Sequence, residues 1–135
     1  MAKQIFVNLP VKDLKKSIEF FTQLGFTFNP QFTDDKATCM IIAENIFAML
    51  LVEERFKDFT KKQICDAKKS TEVLIALDAE SREKVDEMVK NAVKAGGSVY
   101  AETQDDGWMY GHSFADLDGH QWEILYMDLA SFPKG

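Results

Sequence analysis

The sequence predicts an α+β fold made of two βαβββ units, one in each half of the chain. Both halves open with a segment of alternating apolar residues, Gln4 to Leu9 and Glu72 to Asp78, which is typical of strands covered on one face. Each segment is followed by a helix with capping residues and then by three further strand-like segments. This order recurs over about 60 residues each time, so the sequence predicts the same unit twice.

The size and charge of the chain describe one domain that spans residues 1–135. Its 135 residues include 16 Lys+Arg and 22 Asp+Glu, which gives a net charge of −6. Because acidic groups outnumber basic ones and no basic run is present, the sequence argues against a nucleic acid or an anionic membrane as partner. A composition that is 46% hydrophobic and 28% charged excludes a disordered chain.

The first unit is predicted over residues 3–54. Pro10 ends the pairing of the first strand, Asp13 is a good helix N-cap, and Gly25 suits the position after a helix end. These signals predict a helix from Asp13 to Leu24. Three strands are predicted after it, from Phe26 to Phe32, from Ala37 to Ala43 and from Asn45 to Glu53.

The second unit is predicted over residues 71–128, after a lysine-rich connector at residues 55–70 that carries a short helical turn. Ser81 opens the second helix and Gly96-Gly97 ends it. Between them apolar residues recur at helical spacing: Val85, Met88, Val89, Ala92 and Val93. The remaining strands are predicted from Ser98 to Thr103, from Trp108 to Phe114 and from His120 to Met127.

Two features that the sequence lacks bear on the cellular location of the protein. No segment approaches the roughly 20 apolar residues of a membrane span, and the first residues lack the apolar core of a signal peptide. Cys39 and Cys65 have no second pair with which to form a metal knuckle, so both are expected to be thiols in a reducing compartment. We therefore expect a cytoplasmic protein.

Two motifs carry a resemblance to a known family. The segment VNLPVKDLKKSIEFFTQLGF opens the first unit, and the segment FADLDGHQWEILYM, which includes Asp116 to Glu123, closes the second. With the paired βαβββ units they resemble the vicinal oxygen chelate superfamily. This superfamily includes glyoxalase I, bleomycin resistance proteins, fosfomycin resistance enzymes and extradiol dioxygenases. The resemblance covers nearly the whole chain.

The resemblance implies a cup-shaped sheet, the glyoxalase/bleomycin resistance fold, with a ligand on the concave side. Glyoxalase-like members place up to four metal ligands on the inward faces of four strands, where the ion polarises neighbouring oxygens. Carried over to this sequence, those positions fall at Phe6, at about Leu50, at Glu72 and at Glu123. Phe6 and Leu50 cannot bind a metal, so this sequence has neither the full ligand set of glyoxalase I nor the ligands of an extradiol dioxygenase site.

Two alternatives for a cofactor stay open. One is a single divalent metal ion held by Glu72 and Glu123, because Mg²⁺ or Mn²⁺ is held by few carboxylates together with water and substrate. The other is a site without metal, in which Glu123 is a general base.

Strand alternation predicts which side chains line the cup. If Ile5, Val7 and Leu9 pack under the first helix, Phe6 and Asn8 face the ligand. Leu50 is expected beside them, because the resemblance places it at a ligand position. On the last strand the bulky residues Trp122, Ile124 and Tyr126 are expected under the second helix, which leaves Glu123 in the cup.

One aromatic group on the seventh strand is a further candidate. Trp108, Tyr110 and His112 share one face of that strand and would offer a stacking surface with a titratable imidazole. We expect Trp108 and Tyr110 to bind substrate and His112 to join Glu123 in catalysis. The alternative for His112 is an imidazole bonded to a backbone carbonyl.

Two functions follow from these candidates. The first is a glyoxalase-like lyase or isomerase that acts on a small substrate with neighbouring oxygens. The second is a metal-free binding protein of the bleomycin resistance type that sequesters a small ligand. In both, the chain is expected to form a homodimer that completes the cup.

Overall fold

Each half of the chain folds around one four-stranded sheet in the computed structural model, which describes residues 1–133. The halves form two compact units, Met1–Asp66 and Ala67–Gly135, hereafter unit 1 and unit 2. The boundary falls inside the predicted connector. Each unit contains a strand, a helix and three strands in chain order, so the predicted α+β class with two βαβββ units is confirmed.

Unit 1 has the strand order β1-β4-β3-β2. β1 is parallel to β4, and the other neighbours are antiparallel. The elements are β1 (Ile5–Val11), α1 (Leu14–Gln23), β2 (Thr27–Asn29), β3 (Ala37–Ala43), β4 (Ile46–Val52) and α2 (Glu53–Phe56). The Asp13 carboxylate caps α1 by accepting a hydrogen bond from the Lys16 backbone amide. Gly25 follows the helix at a φ of +100°, where a side chain would be strained.

The sheet of unit 1 has two faces of different character. The face under α1, called the α1 face, is a buried core together with Phe20 and Phe21 of the helix. Its strand residues are Leu9, Val11, Met40, Ala48 and Leu50. The opposite face, called the Phe6 face, carries Phe6, Asn8, Ile41, Phe47 and Met49. The predicted placement of Leu9 under the helix, with Phe6 and Asn8 on the other side, is confirmed.

Unit 2 repeats this topology with the strand order β5-β8-β7-β6. Its elements are β5 (Ile75–Asp78), α3 (Arg82–Lys94), β6 (Gln104–Asp105), β7 (Met109–Ala115) and β8 (Gln121–Met127). Ser81 caps α3 by accepting a hydrogen bond from the Lys84 amide, as its position in the sequence predicts. Val85, Val89 and Ala92 of α3 are buried.

The two faces of the unit 2 sheet also differ. The face under α3, called the α3 face, carries Tyr110, His112, Phe114, Trp122 and Ile124. The Phe114 and Trp122 rings stack on this face with centroids 6.3 Å apart, and both side chains are fully buried. The opposite face, called the Glu123 face, carries Ala76, Gly111, Ser113, Glu123 and Leu125.

Three predicted strands are shorter than the sequence suggested. The segment Phe26 to Phe32 pairs only over β2 and then forms a 3-10 turn, Pro30–Phe32, because Asn29 caps that turn through the Gln31 amide. The segment Glu72 to Asp78 pairs only from Ile75 onward, so Glu72 lies before β5.

The third shortened strand is Ser98 to Thr103. This segment forms a single bridge from Ser98 to Ala115, and regular pairing resumes only at β6. Val99 and Ala101 are both exposed, so their side of the segment has no core contact that would hold a longer strand in register. None of the helices formed by residues 1–133 is long and apolar enough to cross a bilayer.

Candidate functional site

Glu123 lies in the middle of β8 with its side chain on the face away from α3. The neighbouring residues Trp122 and Ile124 are buried on the α3 face, which fixes the direction of the residue between them. Across the sheet Glu123 is opposite Ser113 of β7 and Ala76 of β5. The prediction that Glu123 points away from the helix is therefore confirmed by the strand register.

The hairpin before β8 is held in place by one buried carboxylate. Asp116 Oδ2 accepts a hydrogen bond from the Trp122 indole Nε1–H at 3.0 Å, and Oδ1 accepts from the backbone amides of Asp118 and His120. Burial raises the pKa of Asp116, while the charge of His120 and the hydrogen bond from Trp122 act in the opposite direction. Asp116 thus holds the chain that leads into Glu123.

Two hydroxyl groups lie on the Glu123 face and were not predicted as site residues. Ser113 is 5% exposed and sits directly opposite Glu123. The hydroxyl oxygens of Tyr100 and Ser113 are both buried, and neither has a hydrogen-bond partner among residues 1–133. We refer to Tyr100 and Ser113 together as the hydroxyl pair.

Glu123 acts electrostatically on the Tyr100 hydroxyl. Burial raises the pKa of Tyr100, the adjacent Ser113 hydroxyl opposes this rise, and the negative charge of Glu123 adds to it. The Ser113 oxygen is thus close to the Tyr100 hydroxyl, although the two do not meet the geometry of a hydrogen bond. Tyr100 therefore presents a protonated hydroxyl near Glu123 at neutral pH.

His112 and Tyr110 lie on the α3 face, so the expectation that they share a site with Glu123 is wrong. His112 is opposite Ile124, and the Tyr110 hydroxyl donates a hydrogen bond to Asp86 of α3 at 2.6 Å. This bond to Asp86 is the main reason that the pKa of Tyr110 is raised. Side chains alternate between the two faces of a strand, and His112 and Ser113 are neighbours, so they point to opposite sides.

Trp108 lies just before β7 and is not part of the Glu123 face. Its ring packs edge-on against Phe132 with centroids 4.6 Å apart, and its carbonyl accepts a hydrogen bond from the Asp128 amide. Two members of the predicted stacking surface, Trp108 and Tyr110, therefore contact other residues of unit 2.

In unit 1 the predicted residues Phe6 and Asn8 share one face, but Leu50 does not. Phe6 is 48% exposed and stacks on Phe47 at 4.9 Å. Leu50 pairs with Leu9 and is fully buried on the α1 face, so the prediction that it lines a ligand site is wrong. Met49, the partner of Asn8, occupies the corresponding place on the Phe6 face.

The residues of neither unit fit the four-ligand metal site that the resemblance implies. The Phe6 face offers phenylalanine and methionine where acid or imidazole ligands are needed. In unit 2, Glu72 is exposed and precedes β5, while Glu123 lies within β8. Across the described part of the chain, no three His, Cys, Asp or Glu side chains form a group that could hold a metal ion. This donor set does not match the requirements of Zn²⁺ or Ni²⁺ chemistry.

Comparisons with known proteins agree with this architecture. A hypothetical protein from S. aureus superposes with a TM-score of 0.79 at 31% identity, over 93% of this chain and 94% of that one. The fosfomycin resistance protein FosX from Listeria monocytogenes superposes at 0.69 and 20% identity, over 96% and 97%. A glyoxalase-related enzyme from Fulvimarina pelagi superposes at 0.79 and 18% identity, over 99% and 94%. No curated protein matches the sequence.

The family itself is identified by sequence. The profile of the Glyoxalase/Bleomycin resistance protein/Dioxygenase superfamily matches residues 3–124. This match includes both βαβββ units and reaches the β8 residues that follow the Asp116 hairpin. Since it covers nearly all of the 135 residues, the chain belongs to the Glyoxalase/Bleomycin resistance protein/Dioxygenase superfamily.

Proposed function

We propose that the chain is a glyoxalase-like isomerase or lyase in which Glu123 is the general base. The substrate is a small molecule with oxygens on neighbouring carbons. The observation that carries this proposal is the register of β8, which directs Glu123 away from α3 and opposite the buried hydroxyl of Ser113. An acidic side chain held by a strand between two core residues has the fixed position that proton transfer requires.

The proposed chemistry is proton transfer next to a carbonyl group. The Glu123 carboxylate takes a proton from the carbon beside the carbonyl, and the electron pair of that C–H bond forms the C=C bond of an enolate. The carbonyl oxygen takes the negative charge. When the protonated Glu123 gives its proton to the other carbon, the C=C electron pair forms the new C–H bond and the neighbouring oxygen becomes the carbonyl. The hydroxyl proton of that oxygen moves to the former carbonyl oxygen, and the substrate is isomerised. A positioned general base contributes about 10²- to 10⁴-fold to such a step.

The first test is deuterium exchange on hydroxyacetone in D₂O, followed as loss of the CH₂ signal in ¹H NMR. We expect Glu123→Gln, which keeps the shape but loses the base, to lower the exchange rate by about 100-fold or more. Glu72→Gln is the matched control, because Glu72 is exposed outside the sheet, and its rate should equal that of the wild type. Equal rates for wild type and Glu123→Gln would contradict the assignment.

The proposal does not require a bound metal ion. Its support is the donor set described above. Among the strand residues, the Glu123 face has one other acid, Asp78 at the end of β5, and the Phe6 face has none. After treatment with a chelator, addition of Mn²⁺, Zn²⁺ or Ni²⁺ should leave the exchange rate unchanged. A stimulation of about tenfold or more that disappears in Glu123→Gln would instead favour the metal-dependent alternative.

A second candidate function is sequestration of an apolar ligand on the Phe6 face. Its support is the stacked pair of Phe6 and Phe47, with Phe6 half exposed on the face away from α1. Solvent-exposed apolar groups of this kind are common in ligand sites. With indole as a neutral probe, Phe6→Ala should weaken binding while Phe32→Ala, an exposed phenylalanine outside the strands, should not. Equal binding by both variants would reject this candidate.

The homodimer and the cytoplasmic location belong to the same proposal. The side chains of Ile5, Phe6 and Ile46 at one end of β1 and β4 are exposed, and apolar side chains of this kind are covered in many assemblies. Cys39 is buried and Cys65 exposed, without a disulfide between them, as in proteins of reducing compartments. Sedimentation velocity should give the mass of two chains, and a monomer at all concentrations would contradict the dimer.

A further inference from the structure

The hydroxyl pair, Tyr100 and Ser113, has a hydrogen-bonding capacity that the described part of the chain does not use. Each hydroxyl carries one O–H donor, and neither buried oxygen has a partner among residues 1–133. Even if one hydroxyl rotated to donate to the other, one O–H would still lack an acceptor. Buried donors without acceptors cost free energy and are rare in folded proteins. The hydroxyl pair therefore requires an acceptor other than the groups of residues 1–133.

The position of the hydroxyl pair shows where that acceptor would lie. Ser113 is directly opposite Glu123 on neighbouring strands, so the two side chains stand next to each other on one face. The bridge between Ser98 and Ala115 brings Tyr100 alongside β7. The charge of Glu123 acts on the Tyr100 hydroxyl, which places the two groups within electrostatic range. Two donors and one carboxylate thus converge on the Glu123 face.

We propose that the hydroxyl pair binds the carbonyl oxygen of the substrate and stabilises the negative charge that forms on it. This inference rests on the proposed function of Glu123 and adds two catalytic residues to it. As Glu123 removes the proton, the C–H electron pair becomes the C=C bond and the carbonyl π electrons move to oxygen. The hydrogen bonds from Tyr100 and Ser113 strengthen as that charge develops. When the proton returns to carbon, the charge on oxygen is lost again.

The position of the hydroxyl pair beside Glu123 restricts the chemistry of the acceptor. It must be an uncharged or weakly charged oxygen, because Glu123 already places a negative charge beside the hydroxyl pair. A carbonyl oxygen meets this condition and accepts two hydrogen bonds through its two lone pairs. Carboxylates and phosphates as reacting groups are therefore disfavoured.

The main experiment measures exchange on hydroxyacetone in Tyr100→Phe, Ser113→Ala and the wild type. Both variants should lower kcat by about 100-fold, as loss of one oxyanion donor does, with a smaller change in KM. Tyr126→Phe is the matched control, because Tyr126 pairs with Tyr110 on the α3 face, and its kcat should equal that of the wild type. Removal of a buried donor without acceptor should also leave Tm unchanged or raise it.

The outcomes separate this inference from the proposed function. If Glu123→Gln is inactive but Tyr100→Phe and Ser113→Ala exchange like the wild type, Glu123 is the base and the inference on the hydroxyl pair is overturned. If either variant loses activity together with Tm, the hydroxyls are structural and the inference is again overturned. Loss of kcat at unchanged or raised Tm supports it.

A second measurement decides the case in which the wild type does not exchange hydroxyacetone. The proposed function then fails, and the probe becomes acetohydroxamate, a small neutral molecule with adjacent oxygens. Its binding to chelator-treated protein is measured by NMR titration. Weakening by about tenfold in Tyr100→Phe and Ser113→Ala would support a ligand oxygen at the hydroxyl pair. Equal Kd values in the variants and the wild type, as expected if water fills the site, would overturn it.

Discussion

The two units share one topology but present opposite chemistry on the face away from their helix. In unit 1 that face carries the stacked rings of Phe6 and Phe47 together with Met49. In unit 2 the corresponding face carries Glu123 and the buried hydroxyl of Ser113. Strand order and register determine which positions are available for a ligand, whereas the side chains at those positions determine the chemistry. The proposed general base therefore lies in unit 2, and the proposed apolar ligand surface lies in unit 1.

The sheet faces that pack against the helices differ less between the two units. Substitutions on these faces are predicted to lower stability most. Trp122→Ala should lower the free energy of unfolding by about 3–5 kcal/mol, because it removes a fully buried ring and leaves Asp116 without its indole donor. Urea unfolding followed by circular dichroism measures this change. Glu123→Gln, one residue along the strand, should change stability far less. Similar losses for the two variants would show that the side chains of β8 do not alternate between the two faces.

The same contrast in unit 1 tests the corrected position of Leu50. Leu50→Ala should cost about 2–5 kcal/mol, since Leu50 is fully buried on the α1 face. Met49→Ala is the matched variant, and it should cost clearly less because Met49 is only half buried on the Phe6 face. The reverse order of unfolding free energies would mean that β4 is shifted by one residue, so that Met49 and not Leu50 faces α1.

A smaller effect is expected from the hairpin that leads into Glu123. Asp116→Asn replaces one carboxylate oxygen by an NH₂ group, which accepts no hydrogen bond. The side chain then keeps either the hydrogen bond from Trp122 or those from the Asp118 and His120 amides, but not both. The loss should be about 1–3 kcal/mol in urea unfolding. Asp35→Asn is the control, because Asp35 is an exposed aspartate before β3, and its stability should equal that of the wild type. Equal stability of Asp116→Asn and wild type would exclude an anchoring role.

The smallest effect concerns the ion pair between Arg82 and Asp105 at the surface of unit 2. The hydrogen bonds from Arg82 lower the pKa of Asp105, so the ion pair stabilises the fold above the ordinary Asp pKa of 3.8. This contribution is lost as the pH falls through the lowered pKa. Arg82→Gln should therefore reduce Tm slightly at pH 7, and the reduction should shrink as the pH falls below 3.8. A Tm difference between Arg82→Gln and the wild type that grows as the pH falls would contradict this prediction.

Much of the fold was predictable because local signals agreed with long-range packing. Asp13 and Ser81 cap the helices that the sequence assigned to them. The bulky residues Trp122 and Ile124 show which side chains of β8 face α3. The alternation of these bulky residues along β8 was sufficient to place Glu123 on the face away from α3.

Other placements were wrong where the sequence pattern does not show which side chains of a strand face the helix. The β4 segment from Ile46 to Val52 is apolar on both sides, so the sequence could not distinguish Leu50 from Met49, and only pairing with β1 does so. Around His112 both faces of β7 mix polar and apolar residues, and the buried Phe114 marks the α3 face.

The hydroxyl pair could not be predicted from local sequence. Tyr100 lies in a segment predicted as a strand, and its position beside β7 depends on the Ser98–Ala115 bridge between distant parts of the chain. The one available signal was the alternation of β7, which places Ser113 on the side opposite Phe114 and hence on the side of Glu123.

The central claim is that the ligand site lies on the Glu123 face of unit 2, and NMR mapping with acetohydroxamate tests it most directly. In a titration of isotope-labelled protein, we expect the largest chemical-shift changes at Tyr100, Gly111, Ser113 and Glu123. Changes confined to Phe6, Phe47 and Met49 would contradict the account and locate the ligand on the Phe6 face of unit 1.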